Sequence, residues 1–355
     1  MKVLITGVCG FVGSALAESL LERVEGLSIA GIDNLMRPGA ETNRLRLIQH
    51  GVEFFHGDLR SASDVAALPV CEWVIDAAAN PSVLAGLAGK GSSRLLFEHN
   101  LAAIGNVLEY CREYKAGLVL LSSSRVYSIP ALAAIPLCVR DQAFVLDMTA
   151  SLARGLSADG IGVDFSTTPP VSLYGATKLS SEIMALEYGA AFDFPVWITR
   201  CGVVAGAGQF GTPAQGIFTF WVNAHLRRRQ MRYIGFDGTG YQARDAFHPR
   251  DLAALLLAQM RTSRAGEHRI YTAGGGPANT MSLAQLTAWC DERFGCHVPG
   301  ADPRPRPYDI PWMAMDNTMA AKDFGWHIET SLHTILEEIA QHAQKHPDWL
   351  EVSRA

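Results

Sequence analysis

The sequence predicts an α/β fold: a doubly wound parallel sheet followed by a smaller, interleaved C-terminal α/β region. Two observations predict it. Up to about residue 200, short β-rich runs alternate with stretches of helical apolar spacing, which implies a parallel sheet covered by helices on both faces. After about residue 201 the rhythm breaks into Gly- and Pro-rich loops between short helices. The chain has 355 residues, 48% hydrophobic and 18% charged, enough for one large or two coupled domains.

The elements follow in order. Lys2–Thr6 reads as the first strand and Phe11–Arg23 as the first helix. Leu27–Ile32, Val52–His56, Trp73–Ala77 and Leu118–Leu121 read as further strands. Arg94–Tyr114 carries Leu95, Leu96, Leu101, Ile104, Val107 and Leu108 at helical spacing, so one continuous helix is expected there. Tyr174–Phe192 is another helix and Val196–Thr199 another strand. Further on, Ala246–His248 and His268–Thr272 still look like sheet strands. The chain is therefore expected to cross back. A first domain spans 1–200, with returning segments near 244–273. A second region spans 201–355, mainly 201–243 and 274–355. Residues 138–170 show no clear period, and their length predicts either a lid or an insertion with its own short helix.

Composition excludes several classes. Thirty-three Gly and seventeen Pro are near average usage, so the chain is neither collagen-like nor disordered. The net charge is −5 and no basic stripe is visible. The run Arg227–Arg228–Arg229 reads as a solvated helix end, and no nucleic-acid partner is expected. No run of about 18 apolar residues exists to span a membrane. Gly7 interrupts the first residues too early for a signal peptide. Seven Cys without a Cys-x-x-Cys pair fit reduced, mostly buried thiols and a cytoplasmic location. With neither Zn-ligand spacing nor His-Glu-x-x-His, no metal is expected.

Gly7, Gly10 and Gly13 lie between the first strand and the first helix, spaced Gly-x-x-Gly-x-x-Gly. Gly7 allows a tight turn, Gly10 lets the backbone approach a pyrophosphate, and Gly13 lets the helix pack against the sheet. The helix start at Phe11 and Val12 then offers N–H groups to phosphates. This is a Rossmann-type dinucleotide site. Asp33 follows the second strand, twenty residues after Gly13. A carboxylate there accepts both ribose hydroxyls and repels a 2′-phosphate, which favours NAD. Arg37 keeps NADP as an alternative. Asp58, after the third strand, is placed to meet an adenine amino group.

Tyr174 and Lys178 stand four apart at a helix start, so their side chains share a face. A phenol beside a fixed cation gives up its proton more readily and can serve as a base. Ser122, Ser123 and Ser124 end the fifth strand, where an open α/β sheet presents its ligands. A hydroxyl there can bond the substrate oxygen being oxidised.

With these residues, the sequence resembles the extended short-chain dehydrogenase/reductase family, the NAD-dependent nucleotide-sugar epimerases and dehydratases. The likeness is carried by the glycine loop, Asp33-Asn34-Leu35, Gly57-Asp58-Leu59-Arg60, Ala77-Ala78-Ala79 and Asn100 through Asn106. It continues through Ser122–Tyr127, Tyr174 with Lys178, Arg200, Arg244-Asp245 with His248 and Asp251, and Arg306 with Asp309. It implies Ser123, Tyr174 and Lys178 as the catalytic set. It implies Asn34, Asp58, Leu59, Ala77, Ala78, Ala79, Asn100 and Ser122 as cofactor residues beside the glycine loop and Asp33. It places Ser124, Gln209, Gln215, Arg244 and Arg306 against a nucleotide-sugar substrate. It also implies a homodimer built on the helices at Arg94–Tyr114 and Tyr174–Phe192.

Within the family, Asp33–Ala40, Gly208–Gly211 with Gln215-Gly216, and Ala243–Asp245 resemble the 2-epimerases of CDP-linked sugars. A 4-epimerase of a UDP-sugar needs the same three catalytic residues and stays open. Family dehydratases carry Asp-Glu where Ser124 and Arg125 stand here. An Arg stays protonated and cannot remove a carbon-bound proton, which disfavours dehydration and decarboxylation. A catalytically silent NAD-binding regulator is the reading from another class, and such proteins usually lose the Tyr or the Lys. Asp76 stands where the family has His, and Ser128 where it has Gly.

Overall fold

Val3 and Ile5 of the first strand, β1 (Lys2–Thr6), belong to one apolar cluster, and Leu4 between them belongs to another. Alternate side chains of a strand face opposite sides of the sheet, so β1 is buried on both faces, as a parallel sheet demands. The structure, a computed structural model, describes residues 1–87, 91–262 and 268–354. Six further strands run parallel to β1: β2 (Ser28–Asp33), β3 (Glu53–His56), β4 (Trp73–Asp76), β5 (Gly117–Ser123), β6 (Val196–Cys201) and β7 (Ile270–Ala273). Their order is β7-β6-β5-β4-β1-β2-β3, which reverses between β1 and β4. A crevice opens at such a switch point, beyond the carboxyl ends of the strands.

Two layers of helix cover the sheet. On one face, α1 (Phe11–Arg23) contributes Leu16 and Leu20 to the cluster containing Val3 and Ile5. On the other, α2 (Ala103–Tyr114) and α3 (Ser172–Phe192) contribute Ile104, Val107, Leu108 and Ala185 to the cluster containing Leu4, Val74 and Leu118. Then α4 (Pro249–Arg261) returns to the first face with Leu252 and Leu256. A separate C-terminal core gathers Phe218, Trp221, Leu286, Cys290, Ile335 and Ile339. No helix among the described residues is long and apolar enough to cross a membrane.

Three expectations are corrected here. The helix over Arg94–Tyr114 is not uniform: Ser93–Phe97 and α2 are joined by a wide π turn at Glu98–Ala102. That turn holds Asn100, whose side chain reaches out of the helix to the backbone of Asn80. Of the two returning strands, only β7 joins the large sheet. The other is observed at Ala243–Phe247, in a four-stranded sheet with Val203–Val204, Thr280–Ser282 and Trp312–Met313. Asp245 in its middle is fully buried and accepts from the backbone N–H groups of Gly276 and Met315, which fixes the strand in this sheet. Residues 138–170 carry two small hairpins, Leu137–Arg140 with Ala143–Leu146 and Leu156–Ser157 with Gly160–Ile161, and no helix. Leu156, Ile161 and Phe165 pack with Tyr127, Trp312 and Met313, so the segment is a packed insertion. The cysteines are all free thiols, and only Cys138 and Cys296 are exposed.

Candidate active site

The glycine loop is built by close approach. Gly7 has φ 63°, and a Cβ there would fall 2.8 Å from Ala78 Cα. A Cβ at Gly13 would fall 2.3 Å from the Gly7 carbonyl oxygen, so α1 can start only with hydrogen at that position. Gly10 caps α1 without a side-chain hydrogen bond, and the first turn holds no acidic residue. Its N–H groups are left for an anion in the cleft. These features fit a dinucleotide pyrophosphate.

At the end of β2, Asp33 accepts from Leu35 N at 2.8 Å and from Cys9 N at 2.9 Å. Burial pushes its carboxyl above the ordinary range. Burial, then the facing Asp33, pushes the Cys9 thiol up to about 12, so it remains protonated and inert. Asn34 donates to Asp58 at 3.0 Å, and Arg60 grips the same carboxylate at 2.9 and 2.7 Å. The Arg60 hydrogen bonds hold the Asp58 carboxyl well below its ordinary range. Arg37 lines the cleft with its guanidinium bonded within the chain. It donates to Gln215 Oε1 at 2.8 Å and to the Phe210 carbonyl at 2.9 Å. The cation that kept NADP open is thus committed to the loop at 209–216.

Beyond β4, the N–H groups of Ala77 and Ala78 both donate to Thr6 Oγ1 at 3.1 Å, and Thr6 donates to Asp76 at 2.6 Å. Asp76 is buried, which raises its carboxyl against the opposing Lys178 charge. Asn100 grips the next backbone unit, accepting from Asn80 N at 2.7 Å and donating to Asn80 O at 3.0 Å. It also donates to Thr177 at 3.2 Å, one residue before Lys178.

The end of β5 meets the start of α3. Lys178 Nζ donates to the Leu121 carbonyl at 2.9 Å. Ser123 Oγ accepts from Arg125 N at 3.2 Å. The Tyr174 ring is buried against Ala85 and Leu96, and its hydroxyl has no hydrogen-bond partner among the described residues. Ser122 donates its hydroxyl to Glu182. Glu182 in turn holds Arg200 through a buried pair at 2.7 Å, with Arg200 lying 5.4 Å from the Tyr127 ring centre.

One cleft of about 920 Å³ runs from the glycine loop past Tyr174 to the C-terminal region. Gly7, Gly10, Phe11, Val12, Gly13, Asp33, Asn34, Asp58, Leu59 and Ala77–Ala79 line it. So do Ser122, Ser123, Ser124, Tyr174, Lys178, Gln209, Gln215, Arg244 and Arg306. Asn100 is the one candidate that does not reach the wall. It holds the wall from behind. Gln209 and Gln215 line the cleft, but their amides are already bonded: Gln209 donates to Val204 O at 2.7 Å and accepts from Thr219 at 3.1 Å, and Gln215 accepts from Arg37. Arg244 donates to Asp309 at 3.1 Å and to Ile310 O at 2.6 Å. Sequence reasoning missed Glu182 and the wall role of Arg125. Glu182 stands four residues after Lys178 on the same helical face, which was a readable signal of a buried charge.

The sheet, the glycine loop and the cleft at the switch point define a dinucleotide-binding α/β enzyme. The profile of the NAD dependent epimerase/dehydratase family matches residues 3–274, and the chain belongs to that family. Among curated proteins, the chain is 28% identical over 300 residues to CDP-paratose 2-epimerase of Salmonella typhi, covering 81% of this chain and 82% of that one. It is 27% identical over 358 residues to UDP-glucose 4-epimerase of Corynebacterium glutamicum, covering 95% and 94%. Among solved structures, UDP-glucose 4-epimerase of Thermus thermophilus in complex with NAD superposes with a TM-score of 0.73 at 26% identity, covering 97% of this chain and 99% of that one.

Proposed function

We propose that the protein is an epimerase of a nucleotide-linked sugar that works by transient oxidation of a sugar hydroxyl to a ketone. The observation that carries this reading is that Ser123, Tyr174 and Lys178 line the same cleft as the glycine loop and Arg244 and Arg306. Gly7, Gly10, Gly13, the first turn of α1 and Asp33 hold NAD. Bound there, NAD supplies a reversible hydride acceptor. Tyr174 takes the hydroxyl proton and later gives it back, which is general base and then general acid work. Ser123 donates a hydrogen bond to the reacting oxygen. Lys178, fixed by the Leu121 carbonyl, holds positive charge beside the phenol and reaches the ribose. Arg244 and Arg306 receive the diphosphate, and Ser124 faces the sugar.

The Salmonella relative supports C2 of a CDP-sugar as the position changed. The Corynebacterium relative supports the second reading, C4 of a UDP-sugar. Arg125, where an acid–base carboxylate would be needed, disfavours dehydration. The first domain, 1–200 with α4 and β7, carries the cofactor, and the C-terminal region carries the substrate. A homodimer fits Leu95, Phe97, Ile183 and Met184, large apolar side chains left exposed beside and on α3. The free thiols fit a reducing cytoplasm.

The test is an NMR assay of CDP-, UDP-, GDP- and dTDP-sugars with the purified protein in deuterated water. One epimer pair is expected to interconvert, with the changed carbon keeping its own hydrogen. Solvent deuterium at that carbon would overturn the hydride route. Bound NAD without turnover of any sugar would favour a silent regulator.

A further inference from the structure

Arg125 is fixed between the proposed catalytic residues. It lies in a short turn (Ser124–Val126) at the end of β5, and its N–H donates to Ser123 Oγ. Its carbonyl oxygen presses on α3 at Gly175, next to Tyr174. The side chain lines the cleft and makes one hydrogen bond among the described residues, from Nη1 to the Tyr308 carbonyl at 3.0 Å. Tyr308 adopts a left-handed backbone, φ 58°, in the same loop that carries Arg306 and Asp309.

The charges around it do not balance. Arg125, Arg244 and Arg306 line one end of the cleft. Asp309 is the one acidic group of that loop, and it is taken by Arg244 and by the N–H of Ile310. Arg125 itself has no carboxylate within 4.0 Å among the described residues. Burial, and then Arg244, lower its pKa to about 10, so it stays charged at neutral pH. A part-buried guanidinium with free N–H groups and no counter-ion is suited to bind an oxyanion through two parallel hydrogen bonds.

We propose that Arg125 is a specificity-determining residue that binds a substrate oxyanion at the sugar end of the cleft, beside Tyr174. This rests on the reading of the cleft as a nucleotide-sugar site. The oxyanion has two chemical sources, the sugar-side phosphoryl group or a carboxylate on the sugar ring.

Calorimetry on the NAD-loaded protein separates them. Wild type and Arg125→Gln are titrated with UMP, UDP, UDP-glucose and UDP-glucuronate, and with the cytidine set CMP, CDP and CDP-glucose. Bound NAD and melting temperature serve as fold controls. A phosphoryl source weakens UDP, CDP and the sugars alike, by about 10–100-fold, the usual worth of a charge-assisted bond, and spares the monophosphates. A carboxylate source weakens UDP-glucuronate alone by that factor. Arg125→Lys keeps the charge without the fork and is expected to restore about half of the loss on a logarithmic scale. It carries the comparison if Arg125→Gln loses NAD. Affinities within twofold of wild type for every ligand overturn the role of Arg125. A wild type that binds no nucleotide in the panel, nor GDP, dTDP, GDP-mannose or dTDP-glucose added to it, overturns the nucleotide-sugar reading and this proposal with it.

Discussion

Gly175 sits directly against Arg125: a Cβ at residue 175 would fall 2.2 Å from the Arg125 carbonyl oxygen. The helix bearing Tyr174 and Lys178 therefore meets the strand end bearing Ser123 at a side chain that is missing. Lys178, bonded to the Leu121 carbonyl at 2.9 Å, closes the same seam one turn later. Gly175→Ala must push the two apart. Overpacking of this kind costs about 1–3 kcal/mol of stability. The displacement of Tyr174 is expected to lower kcat by about 10²-fold, the usual cost of misplacement near 1 Å. Thermal melts and steady-state kinetics on the same preparation check both numbers.

The buried pair Glu182–Arg200 is expected to matter far more for stability than any surface pair. Its side chains are 2% and 6% exposed, and Glu182 also accepts from Ser122. Glu182→Ala leaves the guanidinium buried without its partner, a loss of about 3–5 kcal/mol. Glu109→Ala, at the exposed pair with Arg112, is expected to cost less than about 1 kcal/mol. Urea unfolding of both variants makes the comparison.

Asp33 holds the backbone at Cys9 and Leu35 with its two oxygens and lines the cleft beside the glycine loop. Asp33→Ser is expected to weaken NAD more than NADP, since the carboxylate repels a 2′-phosphate. Arg37, engaged by Gln215 and Phe210, offers NADP no free cation. Calorimetry with both dinucleotides measures this, and tighter NADP binding by the wild type would contradict it.

Asp245 makes stability depend on pH in a definite direction. Burial raises its carboxyl from 3.8 to about 6 in the folded chain. The folded state then holds the proton more tightly than the unfolded state. The contribution is present in full below pH 3.8 and is lost as pH rises through about 6. Its size is on the order of 3 kcal/mol for a shift of this extent. Asp245→Asn carries no ionisation, so its stability should gain on the wild type's between about pH 4 and about pH 6.5. Parallel denaturation profiles of the two proteins would contradict the assignment.

The sequence was most legible where local pattern decides the structure. Lys2–Thr6 and Phe11–Arg23 have the expected bounds, because alternation, the glycine turn and helical spacing agree there. It was less legible where distant partners decide. The π turn at Asn100 exists because its amide bonds Asn80, twenty residues away in sequence. The strand at Ala243–Phe247 looks like any buried strand, and only the partners of Asp245 show which sheet takes it. Ser123, Tyr174 and Lys178, singled out by type and spacing, all line the one cleft. The direction of an amide was not legible. Gln209 and Gln215 line the cleft, yet bond Val204, Thr219 and Arg37 within the chain.

Tyr174→Phe isolates the proton transfer at the sugar hydroxyl. The substitution removes the proton acceptor and leaves the ring, which packs on Ala85 and Leu96, in place. The measurement is kcat for the interconverted epimer pair, read beside the NAD content of the same protein. Wild-type NAD content is expected, with a kcat lower by about 10²–10⁴-fold, the usual worth of general acid–base catalysis. A Tyr174→Phe enzyme that holds NAD and turns over as fast as the wild type would contradict the role of Tyr174 as proton acceptor.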